Sequence, residues 1–245
     1  DWSIRRTEDF WEQIWDQFDI LGDKGFYPFL ENGNSFEDFK FFPTAKLNYA
    51  ENLLRERDDA AEAIVFWAED KIKRRLSYKV LCDQVSQLQQ LLAHAGVGPG
   101  DRVAAYLPNM PETVVAMLAT SSLGATFSSA SPDFGVKGVL DRFAQIEPKV
   151  MLVTDAYYYG GKHLDITAKV AEVVDALPSL ERVLVCPLSG NAADVLDGAK
   201  TIAKSSVYEE ALSAFPALPL TFHRQDFDAP LYIMFTSGTT GAPKC

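Results

Sequence analysis

The sequence predicts an α/β fold, a mostly parallel sheet with helices on both faces. Three observations predict it. Short continuous apolar runs recur at 103–107, 150–153 and 183–185, as strands buried on both faces require. Amphipathic helical stretches separate them. Strand and helix alternate in units long enough for parallel crossovers, with Gly or Pro at many boundaries.

The elements can be justified in order. Phe10, Trp11, Ile14, Trp15 and Phe18 fall on one helical face, predicting an aromatic stripe that serves as core or docking surface rather than as a ligand box. A loop rich in Gly, Asn and Phe follows over 21–42, then a short helix over 48–54. Residues 63–67 read as a strand. Ser77 caps a helix that turns Val80, Leu81, Val85, Leu88, Leu91 and Leu92 toward the core, and Gly96 stops it. Residues 102–107 are a strand. Pro111 opens a helix through Leu123, and Gly124 closes it. Residues 125–128 and 150–153 are strands on either side of a helix over 136–146, which stops before Pro148. A helix over 164–177 and a strand over 183–185 follow. Residues 189–203 form an irregular polar surface excursion, and Ser205 or Ser206 caps a last helix through Leu212. Residues 231–235 read as a buried strand. No internal repeat appears.

Composition narrows the function classes. Of 245 residues, 47% are hydrophobic, enough for a sizeable core and too many for wholesale disorder. A net charge of -11 argues against a nucleic-acid partner, which needs a basic face. Cys82, Cys186 and Cys245 lie far apart and odd in number, which points to a reducing compartment, the cytoplasm. His94, His163 and His223 are equally isolated, so no metal site is expected. The least polar stretch, 114–130, is broken by six Ser and Thr residues and falls short of a membrane span. The chain starts Asp1-Trp2-Ser3 with neither Met nor a secretory signal, and is expected to be a piece of a longer protein.

The chemistry gathers at the last residues, Thr236-Ser237-Gly238-Thr239-Thr240-Gly241-Ala242-Pro243-Lys244. Phosphate oxygens need many donors in a small concave space. Gly238 and Gly241 let backbone N–H groups approach closely. Thr236, Ser237, Thr239 and Thr240 add hydroxyls, and Lys244 adds a charge. Each hydrogen bond to a charged oxygen nets roughly 1.5–3 kcal/mol. The place also suits, because ligands of parallel sheets sit beyond the carboxyl ends of strands. A linker or hairpin turn would need fewer hydroxyls and no lysine. The Walker A spacing does not fit, since Ala242 and Pro243 separate the lysine from its glycine. The run Gly96-Val97-Gly98-Pro99-Gly100 precedes its strand, so it reads as a turn and not as a dinucleotide loop.

Residues 236–244 match the signature [S/T]-S-G-[S/T]-T-G-x-P-K, and by it the chain is identified as a member of the adenylate-forming superfamily that includes acyl-CoA synthetases. Residues 42–54, 100–109, 128–135 and 145–150 and the Pro243-Lys244-Cys245 ending resemble its acetoacetyl-CoA synthetase branch. The likeness is weakest over 187–224.

The resemblance implies an AMP-forming acid–thiol ligase. A carboxylate, here acetoacetate, attacks ATP to give an acyl-adenylate and pyrophosphate, and coenzyme A then displaces AMP. Thr236, Ser237, Gly238, Thr239, Thr240, Gly241 and Lys244 would hold the ATP phosphates, with Lys244 also assisting catalysis and Mg2+ shielding the charge. Tyr159 and Lys162 are implied for coenzyme A; a solvated loop lysine is the competing reading of Lys162. Residues 1–55 would be an N-terminal helical cap segment, and 56–245 the first part of the AMP-binding domain, ending after the phosphate loop. The family's magnesium carboxylate, ribose aspartate and mobile lysine lie downstream. This chain alone is therefore expected to be inactive, with the C-terminal remainder of the same protein as its partner. Acetate, propionate or another short acid is the alternative substrate, and a non-catalytic nucleotide-binding scaffold the alternative of another class.

Overall fold

The computed structural model describes residues 1–31, 33–55, 57–190, 192, 195, 196, 205–236, 241 and 243–245, except the side chain of Phe36. Its main elements, in chain order, are helix α1 (Thr7–Gln17), helix α2 (Tyr49–Leu54), strands β1 (Glu62–Ala68) and β2 (Ile72–Ser77), α3 (Tyr78–His94), β3 (Arg102–Tyr106), α4 (Pro111–Ser122), β4 (Thr126–Ala130), α5 (Val136–Ile146), β5 (Val150–Val153), β6 (Ala156–Tyr159), β7 (Lys162–Asp165), α6 (Thr167–Asp175), β8 (Arg182–Val185), β9 (Ser205–Val207) and α7 (Tyr208–Ser213). The central sheet runs β9-β8-β5-β3-β4, and every neighbouring pair is parallel.

The apolar runs are continuous because both faces are covered. Val103 and Ala105 of β3 enter one cluster, under α3 and α4; Ala104 and Tyr106 enter the other, under α5 and α6. Strands β5 and β8 alternate in the same way, with Leu152 and Leu184 on the first face and Met151 and Val183 on the second. Each fully buried Val or Leu is worth about 1.5–3 kcal/mol.

Local signals set the helices. The Ser77 hydroxyl accepts the Val80 N–H at 3.4 Å and starts α3. Leu81, Val85, Leu88, Leu91 and Leu92 are buried; Val80 flanks that stripe and stays exposed. Gly96 ends the helix with φ +73°. Pro111 occupies the first turn of α4. Asn48 caps α2 by accepting the Glu51 N–H at 3.2 Å, and its buried amide donates to Ser121 O and His223 O, each at 2.8 Å.

Four expectations are corrected. Strand β1 does not join the parallel sheet; it pairs antiparallel with β2, whose Lys73, Arg74 and Arg75 obscure a strand with Leu76 buried. The helix expected from 164 begins at Thr167, because Leu164 pairs with Tyr157 in the hairpin β6–β7. Ser205 and Ser206 cap nothing: they lie in β9, paired to β8, and α7 starts at Tyr208 without a side-chain cap. Much of 189–203 lies outside the described residues, yet Val195 is fully buried, so the stretch is not wholly surface. In the aromatic stripe only Trp15 is buried, against Phe29, Phe42 and Ala45, while Trp11 and Phe18 remain exposed. Among the described residues no helix is long and apolar enough to cross a membrane.

Candidate active site

A cleft of about 550 Å³ opens beside β4, lined by Thr113, Met117, Ser128, Phe134, Arg142, Tyr232 and Phe235 among others. The buried Tyr106 hydroxyl donates to Phe134 O at 2.7 Å and shapes one wall. Burial pushes its pKa up to about 12, so it stays a donor throughout the physiological range.

Residues 231–235 form the opposite wall. The sequence predicts a buried strand there, and the structure corrects it. A single parallel bridge joins Phe127 to Tyr232. Phe127 N–H donates to Leu231 O at 3.1 Å, and Ile233 N–H returns to Phe127 O at 2.9 Å. The Ser128 hydroxyl adds a bond to Ile233 O at 2.9 Å. Leu231, Ile233 and Phe235 are half-buried, whereas Tyr232 and Met234 are exposed. Among the described residues the backbone is paired along β4, and the segment carries an edge strand's alternation rather than a central strand's double burial. The Tyr232 ring is exposed but its hydroxyl is turned inward, donating to Met117 Sδ at 2.8 Å, and desolvation of that hydroxyl, with Tyr49 beside it, raises its pKa.

The phosphate-loop candidates continue from that wall. Thr236 N–H donates to Lys244 O at 3.0 Å, which brings the two ends of the nine-residue signature together. Gly241 and Lys244 are exposed. Ser237, Gly238, Thr239 and Thr240 lie outside the described residues. Tyr159 and Lys162 are brought together elsewhere, as register partners closing the hairpin β6–β7. Gly160 and Gly161 between them have φ +58° and +75°, as a two-residue hairpin turn favours. Both side chains are exposed, and neither lines the cleft. Gly161 N–H donates to Glu69 Oε2 of the hairpin β1–β2 at 2.8 Å.

Sequence reasoning missed several residues that frame this region. Gln145 of α5 donates to Pro243 O at 2.9 Å. Its segment, 145–150, stands out in the sequence, but a bond spanning 98 positions has no local signal. Arg142 lines the cleft with its guanidinium 4.5 Å from the Phe134 ring centroid. Glu112 is buried in the first turn of α4 and takes a bidentate pair from Arg74, at 2.6 and 2.7 Å. That hydrogen-bonded pair raises the Arg74 pKa against the opposing effect of burial. Asp155, just past β5, accepts the Leu188 N–H at 2.7 Å and the Ser189 hydroxyl at 2.7 Å.

Comparison with known proteins assigns the chain to a family. Residues 54–245 match the AMP-binding enzyme family. The chain belongs to that family. Over its full 245 residues this AMP-binding chain is 45% identical to acetoacetyl-coenzyme A synthetase of Rhizobium meliloti (strain 1021), covering 37% of that protein. It is 38% identical to the Rattus norvegicus acetoacetyl-CoA synthetase, again covering 37% of it. It is 34% identical to the malonamoyl-CoA synthetase of Penicillium aethiopicum, covering 35%. The solved acetoacetyl-CoA synthetase from Streptomyces lividans superposes with a TM-score of 0.89 at 38% identity, over 99% of this chain and 36% of that one. The chain therefore spans little more than a third of the relatives it matches.

Proposed function

We propose that the protein containing this chain is an acetoacetate–CoA ligase. It activates acetoacetate with ATP to acetoacetyl-AMP, releasing pyrophosphate, and transfers the acyl group to coenzyme A, releasing AMP. The observation that carries the reading is the 45% identity to an acetoacetyl-CoA synthetase across the whole chain, phosphate signature included. In this reading residues 1–55 are a helical cap segment and 56–245 the first part of the AMP-binding domain.

Thr236 to Gly241 and Lys244 hold the β- and γ-phosphates, so that the α-phosphorus faces the attacking carboxylate. The bond from Thr236 N–H to Lys244 O supports this by bringing the first and last residues of the signature together. Lys244 stabilises charge that builds on the leaving pyrophosphate. Magnesium would shield the charge of the triphosphate. Tyr159 and Lys162 meet the nucleotide end of coenzyme A, supported by their exposure on one hairpin tip. The free thiols Cys82, Cys186 and Cys245 suit a cytoplasmic enzyme.

The 34% identity to a malonamoyl-CoA synthetase supports a second reading, a ligase for another short acid with the same chemistry. Acid-dependent ATP–pyrophosphate exchange by the full-length protein separates the two. Exchange strongest with acetoacetate supports the proposal. Exchange strongest with acetate, propionate, butyrate or malonamate keeps the mechanism and replaces the acid. A folded protein that exchanges with none is a nucleotide-binding scaffold. Lys244→Ala is expected to slow exchange by about 100-fold, on the scale of losing one donor to developing charge.

A further inference from the structure

We propose that Arg142 and Gln145, one turn apart on α5, are positioning residues that hold the two ends of the phosphate loop and thereby set the affinity for ATP. The inference rests on the assignment of residues 236–244 to phosphate binding.

Closing a loop on itself fixes its width and leaves its direction free. The bond from Thr236 to Lys244 O does only the former. Two side chains tie the ring to the scaffold. Gln145 Nε2 donates to Pro243 O at 2.9 Å, one residue before the signature lysine. Cys245 Sγ lies 3.9 Å from Gln145 Oε1, just after it. At the other end the Arg142 guanidinium sits 4.5 Å from the Phe134 centroid and 6.0 Å from that of Phe235, the residue before Thr236. Arg142 also donates to Gly138 O at 2.6 Å, which restrains its stem.

The spacing i, i+3 puts both side chains on one side of the helix. The adjoining face of α5 is locked, because Val139, Phe143 and Ile146 are buried in the second cluster. The end of α5 is fixed too: Arg102 of β3 donates to Ile146 O at 2.5 Å and to Glu147 O at 2.9 Å. A continuous set of contacts therefore runs from the centre of the sheet through α5 to both ends of the loop. Gln145 is exposed, and its Nε2 also donates to Asp141 O one turn back on α5, which holds the amide in place beside Pro243. Donors that recognise phosphate bind best when they are already in place, since ordering them on binding subtracts from affinity.

The test uses the full-length protein and the exchange reaction, which needs no coenzyme A. Gln145→Glu keeps the length and helix preference of the side chain and removes the donor. One neutral hydrogen bond converts to a rise of about 2- to 10-fold in KM for ATP. That rise is expected in Gln145→Glu and Gln145→Ala, with KM for the acid and the melting midpoint unchanged. Arg142→Gln should raise KM for ATP as well, and the double variant more than either. An unchanged KM for ATP in Gln145→Glu overturns the proposal, as does an equal rise in KM for the acid. The phosphate-loop reading is checked separately: if Lys244→Ala abolishes exchange and Gln145→Glu leaves it untouched, the loop assignment stands and the clasp falls. If Lys244→Ala has no effect, both fall.

Discussion

The central sheet and the wall at 231–235 share a composition and differ in almost everything else. Val103, Ala104 and Ala105 of β3 lie between two paired strands and under helices on both faces, fully buried. Leu231, Tyr232 and Ile233 are just as apolar, yet they pair along one edge through one bridge and a few named bonds. Apolar residues alone do not make a buried strand; neighbours on both edges do. The segment proposed to carry the chemistry is thus held by named hydrogen bonds, and the sheet beside it is fixed by buried area.

That contrast can be broken at graded cost. Leu152→Ala removes a fully buried side chain of β5 and should lower stability by about 2–5 kcal/mol in chemical denaturation. Glu112→Gln should cost about 3 kcal/mol, because it strands the half-buried charge of Arg74. A loss nearer zero would place that pair with surface ion pairs. Ser128→Ala should cost about 1 kcal/mol, and the loss should be local: the Ile233 amide should exchange hydrogen faster while β3 keeps its protection. Uniform loss of protection would mean that wall and sheet unfold as one unit.

The smallest effect is a matter of pH. The Thr167 hydroxyl and N–H donate to Asp165 and hold its carboxyl below the usual aspartate range. A depressed folded value stabilises above the unfolded pKa of about 3.9 and is lost as pH falls through the folded value. Asp165→Asn should therefore melt slightly below wild type at pH 7, by a few tenths of a kcal/mol at this exposed site, and level with it near pH 2. A difference that persists unchanged at pH 2 would point to the lost shape of the turn rather than to charge.

The sheet was legible because its signal is local and redundant. The runs at 103–107, 150–153 and 183–185 need no partner to be recognised, and Ser77, Pro111 and Gly124 mark helix ends within a residue or two. The hairpin β1–β2 was half legible: Lys73, Arg74 and Arg75 interrupt the alternation, and Arg74 is explained only by Glu112, 38 positions on. Leu164 sits in a helical pattern and still pairs in β7, since the Gly160–Gly161 turn decides first. The signature at 236–244 could be recognised from residue types. Its supports could not: Gln145, Ser128 and Arg142 reach the terminal segment across about a hundred positions, and no periodicity encodes such a distance.

The buried amide of Asn48 has a consequence for how the chain is made. Its donor bonds end on Ser121 and His223, 73 and 175 positions away. At about 5–20 residues per second of synthesis, roughly 9–35 s separate the appearance of Asn48 from that of its last partner. Throughout that interval the N-terminal segment carries a polar group that lacks its His223 acceptor, while Trp15 can already pack on Phe29, Phe42 and Ala45. Helices α3 and α4 and the inner strands can settle meanwhile. Asn48 emerges before the sheet does and, by this bond, completes its contacts after it.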